Sequence, residues 1–146
     1  MPWFFYALGA AVIWGINYAV AGRLLERGMS PQTLFFIDMI FGALAMALLL
    51  SGTGKWQATF SELQLARTEI LCLMVAVITA MVAALLIFMS IQAKNATVAS
   101  LIEVTYPFFT AFFAWILFRQ NTLNLATLVG GLLILAGVVI IARGNN

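Results

Sequence analysis

Residues 96–141 read ATVASLIEVTYPFFTAFFAWILF, then RQNTLN, then LATLVGGLLILAGVVII: two apolar runs joined by a six-residue polar hinge. Each run is long enough to cross a bilayer, which takes about 20 residues of helix. The first run carries an acid, Glu103, four positions before Pro107. Proline has no N–H, so the carbonyl of residue 103 loses its helical partner where water is scarce. The backbone opening and the buried charge therefore fall on one residue. On a 3.6-residue period Ala96, Ser100, Glu103, Pro107, Thr110 and Ala114 share a small, polar face, expected to point at protein or a cavity. Leu101, Val104, Phe108, Phe112 and Trp115 make the bulky face opposite, expected to meet lipid.

The remaining sequence is of the same kind. Of 146 residues, 64% are hydrophobic and 8% charged, against a charged fraction about three times higher in soluble domains. The expected fold class is all-α, a polytopic membrane protein forming a single domain over 1–146, with spans at 3–22, 33–50, 70–91, 96–118 and 123–141. An odd number of spans puts the two ends of the chain on opposite sides. The first run lacks a basic leader and a cleavage site, and reads as a retained span. The connection 51–69 has room for a short interfacial helix with Trp56, Phe60 and Leu63 on one side and Thr59-x-x-Glu62 as its cap. Arg23, Glu26 and Arg27 make the first connection, and Ser30-Pro31 starts the second span. In the third span, Ala76, Thr79, Ala83, Ile87 and Ser90 form a smooth stripe.

With no histidine and one cysteine, Cys72, inside an apolar run, neither a transition-metal site nor a disulfide within the chain is expected. No cofactor is called for, and the scattered net charge of +2 gives no nucleic-acid footprint.

Polar groups inside the spans are the functional candidates, because an ionisable side chain in a membrane is costly. Glu103 could instead pair with a neighbouring helix for packing alone. Asn17, deep in the first span beside Trp14, could make an ordinary interhelical hydrogen bond of about 1 kcal/mol. Asp38 could be an acid near a helix N-terminus, favoured by the helix dipole. Trp14 and Tyr106 complete the set expected to hold a substrate or proton. Let face A be the side of the N-terminus and face B the other. Counted from the apolar ends, Asn17, Asp38 and Glu103 lie roughly 7 to 11 Å below face B. Two carboxylates brought close repel, and such a pair could hold a proton or a cationic group.

Charge also bears on orientation. Face A would carry Lys55, Arg67 and Arg119, and face B Arg23, Arg27, Lys94 and Arg143. The positive-inside rule needs an excess on one side. With so small an excess, the chain is expected to insert both ways, and two opposed copies would then make an inverted repeat by association. Gly130 and Gly137, seven residues apart, leave a bare strip where another backbone can approach. Packing between protomers is expected there.

These residues carry a resemblance. Trp14-Gly15-x-Asn17, Ser30-Pro31, Ala93, Ala99-Ser100-Leu101, Pro107-Phe108-Phe109 and the run from Gly130 to Val138, in that order across five spans, resemble a single repeat of the EamA family in the drug/metabolite transporter superfamily. The resemblance implies a half-size member that pairs with itself or with a half-size relative to move a small organic solute. It also implies a home in lipid, in a bacterial or archaeal cytoplasmic membrane. The last span is similar to that of small multidrug resistance proteins, whose glycine heptad mediates antiparallel dimerisation. Three departures stand out: the first span lacks the acid that small multidrug resistance proteins carry there, Asp38 stands where the EamA pattern often has arginine, and Gln120 stands near where it commonly has glutamate.

The leading expectation is a transporter working as an antiparallel, dual-topology homodimer by alternating access. The alternative is a non-transporting subunit or scaffold of a lipid-handling or heteromeric complex. An intramembrane enzyme finds no support: histidine is missing, and no serine–lysine or paired-aspartate motif stands at helical spacing within a span.

Overall fold

The computed structural model describes residues 1–120 and 124–144. Among the described residues seven helices follow in chain order: α1 (Pro2–Glu26), α2 (Pro31–Thr53), α3 (Trp56–Glu62), α4 (Arg67–Ala93), α5 (Ala96–Glu103), α6 (Tyr106–Phe118) and α7 (Leu125–Gly144). The described residues include no strand. Five segments among the described residues are long and apolar enough to cross a membrane: α1, α2, α4, α5 with α6, and α7. The hinge residues 121–123 and the expected start of the last span at residue 123 lie outside the described residues.

Helices run past the apolar stretches that announce them, since a helix needs backbone hydrogen bonds and not apolar side chains to continue. Arg23 and Glu26, expected in the first connection, are helical and form an exposed i,i+3 pair at 3.4 Å. Gly144, expected beyond the last span, is the final residue of α7. Ser30 caps α2 as its position suggests: its hydroxyl accepts from the Thr33 N–H at 3.1 Å, and Pro31 occupies the first turn. Ser30→Ala should lower the thermal stability of the detergent-solubilised protein by about 1 kcal/mol, a loss that Ser30→Asn would restore.

The connection between α2 and α4 does hold a short helix, with a different start from the expected one. Gly54 closes α2 in the left-handed region at φ 65°, and Lys55 is the N-cap of α3. Thr59 lies inside α3 with its hydroxyl on the Lys55 carbonyl, and Glu62 is its last residue, so the expected capping pair does not form. What orders this segment is Trp56, whose indole N–H donates to Ser51 Oγ at 3.0 Å and whose ring stacks on Phe60.

Among the described residues, burial is concentrated at one end. α4 touches α1, α2 and α5, α1 also meets α5, and α7 leans on α5. Ala21, Leu25, Leu34, Phe88, Ile91 and Ala99 form the buried cluster, with Tyr18, Leu24, Met29, Phe35, Ile87 and Ala96 against it. Each of the six buried residues lies within five residues of the face B end of its helix, that is, within about 8 Å of that face. No described residue in the half toward face A is buried. The stripe expected on α4 is not its packed side: Ala76, Thr79, Ala83 and Ser90 are exposed, whereas Phe88 and Ile91 are buried.

The tightest crossing is at Gly22. A Cβ there would stand 3.1 Å from Ala96 Cβ and 3.6 Å from Ile91 Cγ2, so α1 meets the α4–α5 turn with no room for a side chain. The turn itself is held by Asn95, whose side chain accepts from the Val98 N–H at 2.8 Å and starts α5.

Candidate functional site

The fourth span is broken where the sequence puts its acid and its proline. α5 ends at Glu103, Val104 and Thr105 connect, and α6 begins at Tyr106 with Pro107 in its first turn. The Ile102 carbonyl accepts from both the N–H and the hydroxyl of Thr105, at 3.2 and 3.0 Å. The break is thus a tight three-residue turn ahead of the proline. Proline suits the first turn of α6, where its missing N–H leaves nothing unsatisfied. Glu103, as the last residue of α5, stands where terminal carbonyls gather the negative end of the helix dipole.

Glu103 is half-buried and accepts a 2.7 Å hydrogen bond on Oε2 from the Tyr18 hydroxyl. That contact joins α1 to α5 across the membrane interior. At 2.7 Å it has the usual length of a well-formed O–H···O hydrogen bond. Tyr18 packs against the buried cluster and against Trp14, with ring centroids 5.4 Å apart. Sequence reasoning passed over Tyr18 because tyrosine in a span ordinarily marks the headgroup level. Its depth, one residue beyond Asn17, was the available signal.

Asn17 is half-buried, and its Oδ1 is fully shielded with no hydrogen-bond partner among the described residues. Asp38 is half-buried on the side of α2 that carries buried Leu34 and half-buried Phe35. It makes no hydrogen bond or ion pair among the described residues, and no bond joins it to Glu103. Trp14 and Tyr106 are largely exposed, at 55% and 63%. On the fourth span Ala96, Ser100, Glu103 and Ala114 are the more covered side, as the period predicts, but Pro107 and Thr110 are exposed. The helix break turns α6 out of register with α5, so one continuous face does not survive.

Measured from the observed helix ends, Asn17 is nine residues before Glu26, Tyr18 eight, Asp38 seven after Pro31, and Glu103 seven after Ala96. At 1.5 Å per residue the layer lies about 10 to 14 Å below face B. This is deeper than the apolar runs suggest, because α1 and α2 extend beyond them. The buried cluster lies between this layer and face B, and no described residue in the half toward face A is buried.

Two recesses open at face B instead. One of about 320 Å³ lies between the end of α1 and the α4–α5 turn, lined by residues such as Gly22, Arg23, Glu26 and Lys94. Another of about 540 Å³ follows the α1–α2 turn around Arg27, Gly28 and Ser30. None of the candidate residues lines either of them. Gly130 and Gly137 are half-covered, and a Cβ at either would meet nothing within 4 Å. No group of acidic, histidine or cysteine side chains suited to a metal ion occurs among the described residues.

Compared with known proteins, residues 1–143 match the model of the EamA-like transporter family. No curated protein and no solved structure matches the chain.

Proposed function

The chain belongs to the EamA-like transporter family, a family of membrane transporters, and from that premise we propose that two copies in opposite orientation move a small organic solute by alternating access. Glu103, with Asp38 and Asn17, holds a cationic substrate group or a proton in mid-membrane. The observation that carries this reading is the Tyr18–Glu103 bond of 2.7 Å beside a broken span. An acid at a helix interruption between two spans is where a transporter exposes binding groups without leaving backbone in lipid.

The packing supports the pairing. One protomer is closed near face B and unpacked toward face A, so it presents its polar layer from one side alone. An inverted second copy would put a packed end opposite a looser one in each leaflet, and alternation would then follow from the two copies exchanging conformations. The open strip at Gly130 and Gly137 offers the seam. A bacterial or archaeal cytoplasmic membrane is the setting that fits.

The test is reconstitution in proteoliposomes, with tags on both termini read from both sides. Solute uptake together with each terminus found on each side supports the reading. Fixed orientation with no flux of any solute sinks it and favours a one-way subunit. Gly137→Leu should shift the cross-linked dimer to monomer, while helix content by circular dichroism stays as in the wild type.

A further inference from the structure

The polar layer has an unbalanced hydrogen-bond inventory. Its hydroxyl donor, Tyr18, is already committed to Glu103 Oε2. Asn17 Oδ1 is shielded and unpartnered, and Asp38 has no hydrogen bond or ion pair among the described residues. Glu103 Oε1 likewise has no bonded donor among them. These unmet atoms are acceptors, and Asn17 Oδ1 is the shielded one among them, where a missing donor is costly. Among the described residues Arg23, the basic residue of α1, lies five positions nearer face B than Tyr18 and pairs with Glu26 at 3.4 Å.

We infer that the site takes a cation bearing its own N–H donors, a protonated primary or secondary amine, in preference to a quaternary ammonium ion. This rests on the transporter reading of the same site and goes further, to the chemistry of the solute. A bare proton would neutralise one acid and leave Asn17 unmet. A quaternary ion would bring charge and no donor. An ammonium group with two or three hydrogens brings both, at the acid end of α5, where helix carbonyls add negative potential. The Trp14 and Tyr18 rings, 5.4 Å apart beside the acid, offer π-faces to the cation and its apolar body.

Tyr18 thereby becomes a specificity-determining residue. With the Tyr18 hydroxyl on Oε2, a guanidinium fork that spans both carboxylate oxygens must share Oε2 with it, whereas a small ammonium head needs Oε1 alone.

The experiment measures binding and uptake of benzylamine, its N-methyl and N,N-dimethyl derivatives and benzyltrimethylammonium at neutral pH, with the full chain in proteoliposomes. Charge and ring are constant through the series, and the N–H count falls from three to none. Affinity is expected to fall at least about tenfold from the first to the last, since a site built around hydrogen bonds rejects ligands that lack them. Asn17→Leu should flatten the series, and Asn17→Thr serves where the leucine variant fails to insert. Tyr18→Phe should improve benzamidine relative to benzylamine. Equal or rising affinity on methylation overturns the inference and leaves transport standing, as does transport of other solutes with no binding of any of the four. Transport of no solute at all counts against the transporter reading itself.

Discussion

Glu103→Gln is expected to cut solute flux in proteoliposomes by about 10- to 100-fold, the range set by loss of one charge-assisted contact in a shielded site. The substitution is nearly isosteric, and the amide oxygen can still accept the Tyr18 hydroxyl proton that the carboxylate takes at 2.7 Å. The α1–α5 link should therefore survive, and with it the fold and any dimer. What disappears is the negative charge at the end of α5. Glu103→Asp keeps the charge and draws it back by one methylene, away from Tyr18, so its flux should fall between those of the wild type and the glutamine variant. Chromatography and cross-linking on the same samples separate chemistry from assembly. Unchanged flux in Glu103→Gln would remove this acid from the mechanism and reduce the Tyr18 contact to a helix tether.

Gly22→Leu should be the most damaging change to the protomer itself. The hypothetical Cβ at Gly22 is already 3.1 Å from Ala96 Cβ and 4.0 Å from the Ala96 backbone nitrogen. A leucine adds three further carbons into that contact, and the obstacle includes main chain that cannot rotate aside. Overpacking costs about 1 to 3 kcal/mol where neighbours can yield, and this crossing is the upper case because it closes the end of the molecule that holds the buried cluster. Gly22→Ala should be milder, asking the α4–α5 turn to move a few tenths of an ångström. Gly9→Leu is the control, because a Cβ there meets nothing within 4 Å. A thermal melt in detergent should show a large fall for Gly22→Leu and little for Gly9→Leu. Equal melting of the two would mean that the α1–α5 crossing does not hold the fold.

Much of the architecture could be read directly from the residues. Long apolar runs with few charges admit helices across a bilayer and little else. Ser30-Pro31 marked the start of α2, and the acid before Pro107 marked an interruption. The site was less legible. Asn17, Asp38 and Glu103 stood out because polar groups in apolar helices are costly. Tyr18 did not, since its hydroxyl becomes informative only when a carboxylate from a helix 85 positions away meets it. The stripe on α4 misled for a related reason: small residues permit close packing without naming the partner, and on α4 the larger Phe88 and Ile91 do the packing.

Composition and periodicity by themselves determined that this chain is a multi-pass helical membrane protein with acids held at mid-depth, because the free energy of burying backbone and charge in lipid depends on local sequence. Tertiary structure decided which polar groups meet and which end of the bundle closes. Those outcomes depend on helix rotation and on one close crossing at Gly22, and a rotation of a few tens of degrees changes every contact while leaving each helix as stable as before.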